Sequence, residues 1–208
     1  PLPEIDSSSV DNAVKLINKA KKPFIVWGQG VILGNAEDEF KSFVEKSGIP
    51  AAWTILGVSA LPTSHELNVG MVGMHGNYGP NLLTNECDLL VAIGMRFDDR
   101  VTGDPKTYAN QAKIIHFEID PAEINKNIKV EVPIIGDCKE SLKLITEKIE
   151  KRSHEKWISK FDDLMKIEFD KVINSDLNPS KKGLTMGESI IAINEQTNGE
   201  AIIVTDVG

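Results

Sequence analysis

The side chains best suited to bind or react with a ligand are concentrated in the run Arg96-Phe97-Asp98-Asp99-Arg100, directly after the apolar stretch 89–93. In an open parallel sheet, ligands bind beyond the carboxyl ends of the strands, so a site is expected here. Arginine guanidinium groups suit phosphate or ribose oxygens, and aspartates can accept hydrogen bonds from hydroxyl groups. A cluster of solvated charges is the alternative. The position directly after a strand favours a ligand site.

A glycine pair, Gly28-Gln29-Gly30, follows the apolar run 24–27. Such a pair lets the backbone approach a diphosphate while the chain turns into a helix, whose N-terminus favours anions. The third glycine of the dinucleotide fingerprint would fall at Leu33, and Gly34 comes one position late. A tight turn and a nucleotide site are therefore equally compatible with this motif.

A second glycine-rich stretch, residues 70–79, contains four glycines among methionine, histidine and tyrosine. Backbone without side chains can pass close to a flat ligand, and methionine and imidazole groups can pack on its face. A flexible surface loop has the same composition. Composition alone does not choose between these two interpretations.

Carboxylates follow two further predicted strands. Glu118 lies near the end of the apolar run 113–119, and Asp137 follows the run 131–135. A carboxylate at a strand end commonly accepts hydrogen bonds from ribose hydroxyl groups. Both positions are therefore candidates for nucleotide contacts. Pro121, shortly after the first of these runs, is predicted to start a helix at its favoured first position.

No catalytic or metal-binding constellation is predicted. The histidines are scattered along the chain and no serine or cysteine motif accompanies them. His116 lies within an apolar run and is expected to be a hydrogen-bonded core residue. Cys87 and Cys138 are too few and too far apart for a metal motif, so reduced packing thiols are expected. We predict a domain that binds a cofactor, without catalytic residues of its own.

The composition excludes several classes of protein. The chain has 208 residues, 41% of them hydrophobic and 26% charged, as in ordinary globular proteins, and its net charge is −8. Nucleic-acid binding needs concentrated Lys and Arg, so no nucleic-acid partner is expected. No apolar run approaches the roughly 20 residues of a membrane-spanning helix, and no signal segment opens the chain. We expect a cytoplasmic protein without a membrane partner.

Apolar runs and helical patterns alternate along the chain. Strands are predicted at 24–27, 50–53, 89–93, 113–119 and 131–135, and helices include 36–46 and 141–149. Parallel strands need crossovers that cover the sheet. The pattern predicts an α/β fold, doubly wound, with helices on both faces of a mostly parallel sheet.

The C-terminal part follows a different pattern. A long amphipathic helix is predicted over 149–172, a breaker over 174–179, and a strand over 201–205. Thr185 and Glu188 have the spacing of a capping box. We predict a central nucleotide-binding domain at 1–150, a helical linker at 151–182, and at 183–208 the start of another domain, so that the chain is expected to be part of a longer subunit.

Three segments together resemble one family. Gly73-Met74-His75-Gly76, the run from Gly94 to Gly103, and the tail Val204-Thr205-Asp206-Val207-Gly208 resemble the central domain of the acetohydroxyacid (acetolactate) synthase catalytic subunit, a thiamine-diphosphate enzyme family that also carries FAD. The resemblance runs from about Ser9 to Gly208. Asn77 and Gly79-Pro80 depart from the family's more usual threonine and alanine types, and Gln29 interrupts a glycine run.

The resemblance implies a six-stranded Rossmann-like sheet and a set of functional residues. The implied FAD contacts are Gly28, Gly30, Thr54, Ile55, Gly73, Met74, His75, Gly94, Arg96, Asp98, Arg100, Val101, Glu118, Ile119, Asp137 and Cys138. The implied substrate channel contains Met74, Asp99 and Arg100. Neither a catalytic residue nor a metal ligand is implied within this chain.

The resemblance also implies what the intact enzyme does. It would condense two pyruvates, or pyruvate and 2-oxobutyrate, with decarboxylation, for branched-chain amino-acid synthesis. Thiamine diphosphate and Mg2+ would belong only to the intact enzyme, and this chain alone would bind FAD without activity. The full subunit is expected to form a homo-oligomer, with or without a small regulatory subunit. A pyruvate-oxidase-like flavoenzyme and a non-catalytic subunit-interaction module are the alternatives.

Overall fold

The computed structural model describes residues 2–180 and 183–204. The chain divides into two compact units, one extending to Asp163 and the other beginning at Leu164. The predicted division at 150 and 182 stays a prediction.

The first unit is built on a six-stranded sheet in which every pairing is parallel. Its strands are β1 Pro23–Trp27, β2 Ala51–Trp53, β3 Asn68–Met71, β4 Leu89–Ile93, β5 Lys113–Glu118 and β6 Val132–Ile135. The strand order is β3-β2-β1-β4-β5-β6, the order of a dinucleotide-binding doubly wound sheet. The predicted α/β class and six-stranded parallel sheet are confirmed.

Helices connect and follow these strands. They are α1 Ser7–Lys19, α2 Gln29–Leu33, α3 Glu37–Ser47, α4 Tyr78–Leu83, α5 Asp99–Thr102, α6 Cys138–Lys148, α7 Glu155–Glu168, α8 Asn174–Leu177 and α9 Met186–Gln196. Short 3-10 turns occupy Ile55–Gly57 and Pro121–Glu123, and a π-helical turn occupies Phe169–Ile173. The predicted helix start at Pro121 is thus a single 3-10 turn.

Both faces of the sheet are covered, as the doubly wound pattern predicts. Phe24 and Trp27 of β1 point to opposite faces because side chains alternate along a strand. The Phe24 ring lies 5.2 Å from that of Phe161 on α7, and the Trp27 ring lies 5.0 Å from that of Phe40 on α3. All five residues of β1 and of β4 are buried. Fully apolar central strands follow from this two-sided burial.

One strand was missed by the sequence analysis. Gly70 and Met71, interpreted as the start of a glycine-rich loop, belong to β3 at the edge of the sheet. Gly70, which has φ +106°, interrupts the apolar alternation by which a strand is recognised in a sequence.

The predictions for the C-terminal part were partly wrong. Residues 201–204 form no strand, and Thr205 and the rest of the tail motif lie outside the described residues. An apolar run becomes a strand only beside a partner, and the described part of the second unit contains no other strand. The long helix begins at Glu155 rather than 149, and residues 174–177 of the predicted breaker are helical.

The predicted capping box of α9 is confirmed. Glu188 N–H donates to Thr185 Oγ1 at 3.1 Å, and Thr185 N–H donates to Glu188 Oε2 at 2.8 Å. Each side chain satisfies a backbone donor that the first turn of a helix leaves unpaired.

Candidate functional site

A cavity of about 680 Å³ opens at the carboxyl ends of the strands, where the strand order reverses between β1 and β4. Its volume lies within the roughly 300–1,000 Å³ typical of small-molecule sites. Twelve of the sixteen residues predicted to contact a cofactor line it: Gly30, Thr54, Ile55, Gly94, Arg96, Asp98, Arg100, Val101, Glu118, Ile119, Asp137 and Cys138. Gly28, Gly73, Met74 and His75 do not, and neither does Asp99 of the predicted channel.

Glycines let two turns meet at the base of the cavity. Gly30 N–H donates to Gly94 O at 2.9 Å, and Gly28 N–H donates to Ile93 O at 3.0 Å. A Cβ atom on Gly30 would lie 2.6 Å from Gly94 Cα, far inside contact distance. Gly94 also has φ +57°, a conformation that favours glycine. The glycine pair therefore makes a tight backbone contact, while Gly30 itself also faces the cavity.

The side chains of the segment after β4 alternate between buried and more exposed positions. Met95 and Phe97 are each only 4% exposed, whereas Arg96 and Asp98 are more exposed; Arg96, Asp98 and also Met95 line the cavity. The Arg96 guanidinium lies 3.9 Å from Asp98 Oδ2 and its side chain is largely exposed. Asp98 Oδ1 is buried without a hydrogen-bond partner in the described part of the chain. A buried carboxylate oxygen in a cavity wall can accept a hydrogen bond from a ligand hydroxyl group.

Two carboxylates at neighbouring strand ends are held by local hydrogen bonds. Glu118 Oε1 accepts from the backbone N–H groups of Ile119 at 2.9 Å and Asp120 at 3.2 Å. Asp137 caps α6, its Oδ1 accepting from Glu140 N–H at 3.0 Å. These bonds fix the orientation of both carboxylates at the cavity wall.

His116 is a core residue, as predicted. It is fully buried, and its Nε2 lies 2.8 Å from Met95 O. A carbonyl oxygen only accepts, so Nε2 carries the proton, and Nδ1, which has no hydrogen-bond partner among the described residues, is the unprotonated nitrogen. Burial lowers the pKa of His116 below its ordinary value, although the hydrogen bond to Met95 and the charge of Glu118 oppose this.

The Gly-Met-His-Gly loop borders the cavity through Arg100. Met74 N–H donates to Arg100 O at 2.8 Å, and Arg100 Nη1 lies 3.7 Å from Met74 Sδ. Asn81 of α4 holds the loop from the other side: its Oδ1 accepts from Gly73 N–H and its Nδ2 donates to Gly73 O, both at 2.9 Å. The sequence analysis missed Asn81, because an amide eight residues from a glycine forms no recognisable motif.

Eight cavity-lining residues were absent from the predicted set: Leu2, Gln29, Leu33, Gly34, Leu56, Met95, Phe117 and Gly136. Seven of them lie next to, or within a few residues of, a predicted contact, so the strand-end rule could have found them. Leu2 comes from the distant N-terminal segment. Ile5 of that segment packs against the core and against Gly136, where an added Cβ would lie only 2.6 Å from Ile5 Cγ1.

Cys87 and Cys138 are free thiols, as expected. Burial raises the pKa of each to about 12, and Cys138 is further raised by the charge of Asp137. Across residues 2–180 and 183–204, no group of His, Cys, Asp or Glu side chains is arranged to hold a metal ion. The helices within the same ranges include none with the length and apolar character needed to cross a membrane.

Comparison with known proteins places the chain in a family. The family described as "Thiamine pyrophosphate enzyme, central domain" matches residues 10–145. The chain is 40% identical over 212 aligned residues to a probable acetolactate synthase large subunit of Methanococcus aeolicus, an alignment covering 96% of this chain and 35% of the relative. It is 49% identical over 147 residues to the acetolactate synthase large subunit of Corynebacterium glutamicum, covering 71% and 24% of the two chains.

A plant relative gives the same result. The chain is 39% identical over 214 residues to the chloroplastic acetolactate synthase of Arabidopsis thaliana, with 98% of this chain and 30% of the relative covered. The chain thus spans about a third of the length of such relatives. It is homologous to one region of acetolactate synthase large subunits, and it belongs to the family of thiamine pyrophosphate enzyme central domains.

Proposed function

We propose that this chain is the FAD-binding central region of an acetolactate synthase large subunit. The observation that carries the proposal is the cavity where the strand order of the sheet reverses. Arg96 and Arg100 line it together with the strand-end carboxylates Glu118 and Asp137. Guanidinium groups suit a diphosphate, and fixed carboxylates suit ribose hydroxyl groups. A dinucleotide carries both kinds of group.

The residues present fit FAD in two further respects. Gly30 and Gly94 leave the base of the cavity without side chains, so backbone can lie close to a diphosphate. Leu33, Ile55 and Ile119 line the cavity and are 49% to 71% exposed, which leaves apolar surface for flat ring systems. When bound, FAD would organise the site without being consumed in the condensation.

The whole protein is proposed to condense two pyruvates to 2-acetolactate, or pyruvate and 2-oxobutyrate to 2-aceto-2-hydroxybutyrate, with loss of carbon dioxide. Thiamine diphosphate and Mg2+ would be held by other parts of the longer subunit. Met74, Asp99 and Arg100 are proposed to border the channel for the 2-oxoacids. In support, Met74 is 62% exposed and contacts Arg100 at the rim of the cavity.

Assembly and location are proposals of the same kind. We propose a homo-oligomer of the full subunit, with or without a small regulatory subunit, in the cytoplasm. The support for assembly is homology to the acetolactate synthase large subunits of other organisms.

Titration of this chain with FAD tests the proposal, with flavin fluorescence and thermal stability as readouts and ADP as the competitor. Saturable binding that ADP displaces is the expected result. Failure to bind any adenine nucleotide would instead support a non-catalytic interaction module. Reduction of FAD by pyruvate in the full-length protein would support a pyruvate-oxidase-like enzyme.

A separate assay tests the division of labour. This chain should form no acetolactate from pyruvate, thiamine diphosphate and Mg2+, and the full-length protein should form it. Acetolactate made by the isolated chain would overturn the assignment of the chemistry to other domains.

A further inference from the structure

We propose that His116 and Asn127 are positioning residues that hold the segment 95–98 so that Arg96 and Asp98 are presented to the cavity. Both lie on elements after the segment in sequence, and each donates a hydrogen bond to one of its backbone carbonyl groups. This inference rests on the proposed function, because its consequence for binding presumes that FAD occupies the cavity.

The first anchor comes from β5. His116 Nε2–H donates to Met95 O at 2.8 Å, and the imidazole ring lies 5.0 Å from the Phe97 ring at a steep angle. The histidine is fully buried, so water does not compete for this bond. Its Nδ1 has no partner in the described part of the chain. Nε2 also lies 3.7 Å from Glu118 Oε2, but its hydrogen bond is to the loop carbonyl, so the imidazole holds that loop.

The second anchor comes from the connection between β5 and β6. Asn127 Nδ2 donates to Phe97 O at 2.7 Å. Phe97 is also packed edge-on against Tyr108, with 6.1 Å between ring centroids. The backbone carbonyl groups of residues 95 and 97 are therefore both held by side chains of the same domain, those of His116 and Asn127.

The spacing of the two anchors explains the alternation along the segment. Carbonyl groups two residues apart are held, and the side chains of the same two residues, Met95 and Phe97, are buried. The intervening Arg96 and the following Asp98 are more exposed and line the cavity, which the buried Met95 also borders. The Arg96 side chain is largely exposed and its guanidinium lies 3.9 Å from Asp98 Oδ2, so this ion pair does little to hold the backbone of the segment. Losing an anchor should free the segment without removing any group that lines the cavity.

Two matched pairs of variants of this chain test the proposal. His116→Gln keeps an N–H donor near the position of Nε2, whereas His116→Phe removes it. Asn127→Ala removes the second anchor, and Asn18→Ala removes a comparable loop anchor elsewhere, since Asn18 Oδ1 accepts from Glu150 N–H at 3.0 Å. Asn127→Ala keeps the proposal testable if His116→Phe does not fold.

Hydrogen exchange of the segment 95–98 is measured first, without FAD. We expect faster exchange in His116→Phe and Asn127→Ala, and wild-type exchange in His116→Gln and Asn18→Ala. FAD titration should then show Kd raised roughly 3- to 10-fold in the first two variants, the equivalent of one lost hydrogen bond. Unchanged exchange would overturn the positioning role. Faster exchange with unchanged Kd would overturn its link to binding, whereas a wild-type chain that binds no FAD would instead refute the proposed function.

Discussion

Replacing Gly94 by alanine should destabilise the first unit strongly, because two separate costs fall on one residue. Its φ of +57° is unfavourable for alanine by about 1–2 kcal/mol. A Cβ at this position would also lie 2.7 Å from Gly30 Cα and 2.8 Å from Gly30 C. Backbone cannot rotate away as a side chain can, and overpacking of this kind costs about 1–3 kcal/mol. The free energy of unfolding should fall by about 2–5 kcal/mol in total.

A second variant isolates the steric cost. In Gly30→Ala the new Cβ would lie 2.6 Å from Gly94 Cα, so the same two turns collide. Gly30 is helical and has no positive φ, so the conformational cost is absent there. Alanine gains up to about 1 kcal/mol in helix propensity there, so Gly30→Ala should cost clearly less than Gly94→Ala. Because both substitutions separate the same two turns, the double variant should cost less than the sum of the two single variants.

Urea unfolding followed by tryptophan fluorescence measures these free energies. The three tryptophans, Trp27, Trp53 and Trp157, all lie before Asp163, so the signal reports on the first unit. A loss below about 1 kcal/mol for Gly94→Ala, or strict additivity in the double variant, would refute the close contact between the two turns.

Three further predictions concern charge and protonation. Arg100→Ala should change the free energy of unfolding of this chain by less than about 0.5 kcal/mol, because the side chain is exposed; in the full-length protein it should impair acetolactate formation, and unchanged kinetics would remove Arg100 from the site. Burial lowers the pKa of His116 and of His154 below the ordinary 6.5, so the unfolded chain takes up protons first as pH falls. Urea unfolding should therefore show stability that is fully present above about pH 6.5 and declines below it, and His116→Gln should flatten this decline; an unchanged decline in that variant would contradict the assignment to His116. Cys87, which is buried and has a pKa of about 12, should react with a thiol reagent at pH 8 only after unfolding; rapid labelling of the native chain in a Cys138→Ser variant, which removes the partly exposed thiol at the cavity, would contradict this burial.

The central strands could be predicted because burial on both faces leaves an uninterrupted apolar run, as in β1 and β4. The edge strand β3 could not, since it is half exposed and contains Gly70 at a positive φ. At 201–204 a strand was predicted from an equally apolar run, but these residues form none. Strand formation depends on a neighbouring backbone, which a local pattern does not contain.

The position of the cavity was predictable from the rule that ligands bind at strand ends, and Arg96, Glu118 and Asp137 all line it. Contacts that depend on distant parts of the chain were not. Leu2 lines the cavity from the N-terminal segment, and Asn127 reaches Phe97 O across 30 positions. Whether the predicted residues bind FAD stays a prediction.

The proposed function is tested most directly by locating the residues at which an adenine nucleotide binds to this chain. Backbone amide shifts of the isotope-labelled protein can be followed by NMR as ADP is added. The amides of Gly30, Gly94 and Gly136 border the proposed site, whereas Gly48 packs against Arg152 and does not line the cavity. Saturable shifts at the three cavity glycines, with none at Gly48, are the predicted result. Saturation without shifts at these three glycines, or no shifts at all, would contradict the claim that this cavity is a nucleotide site.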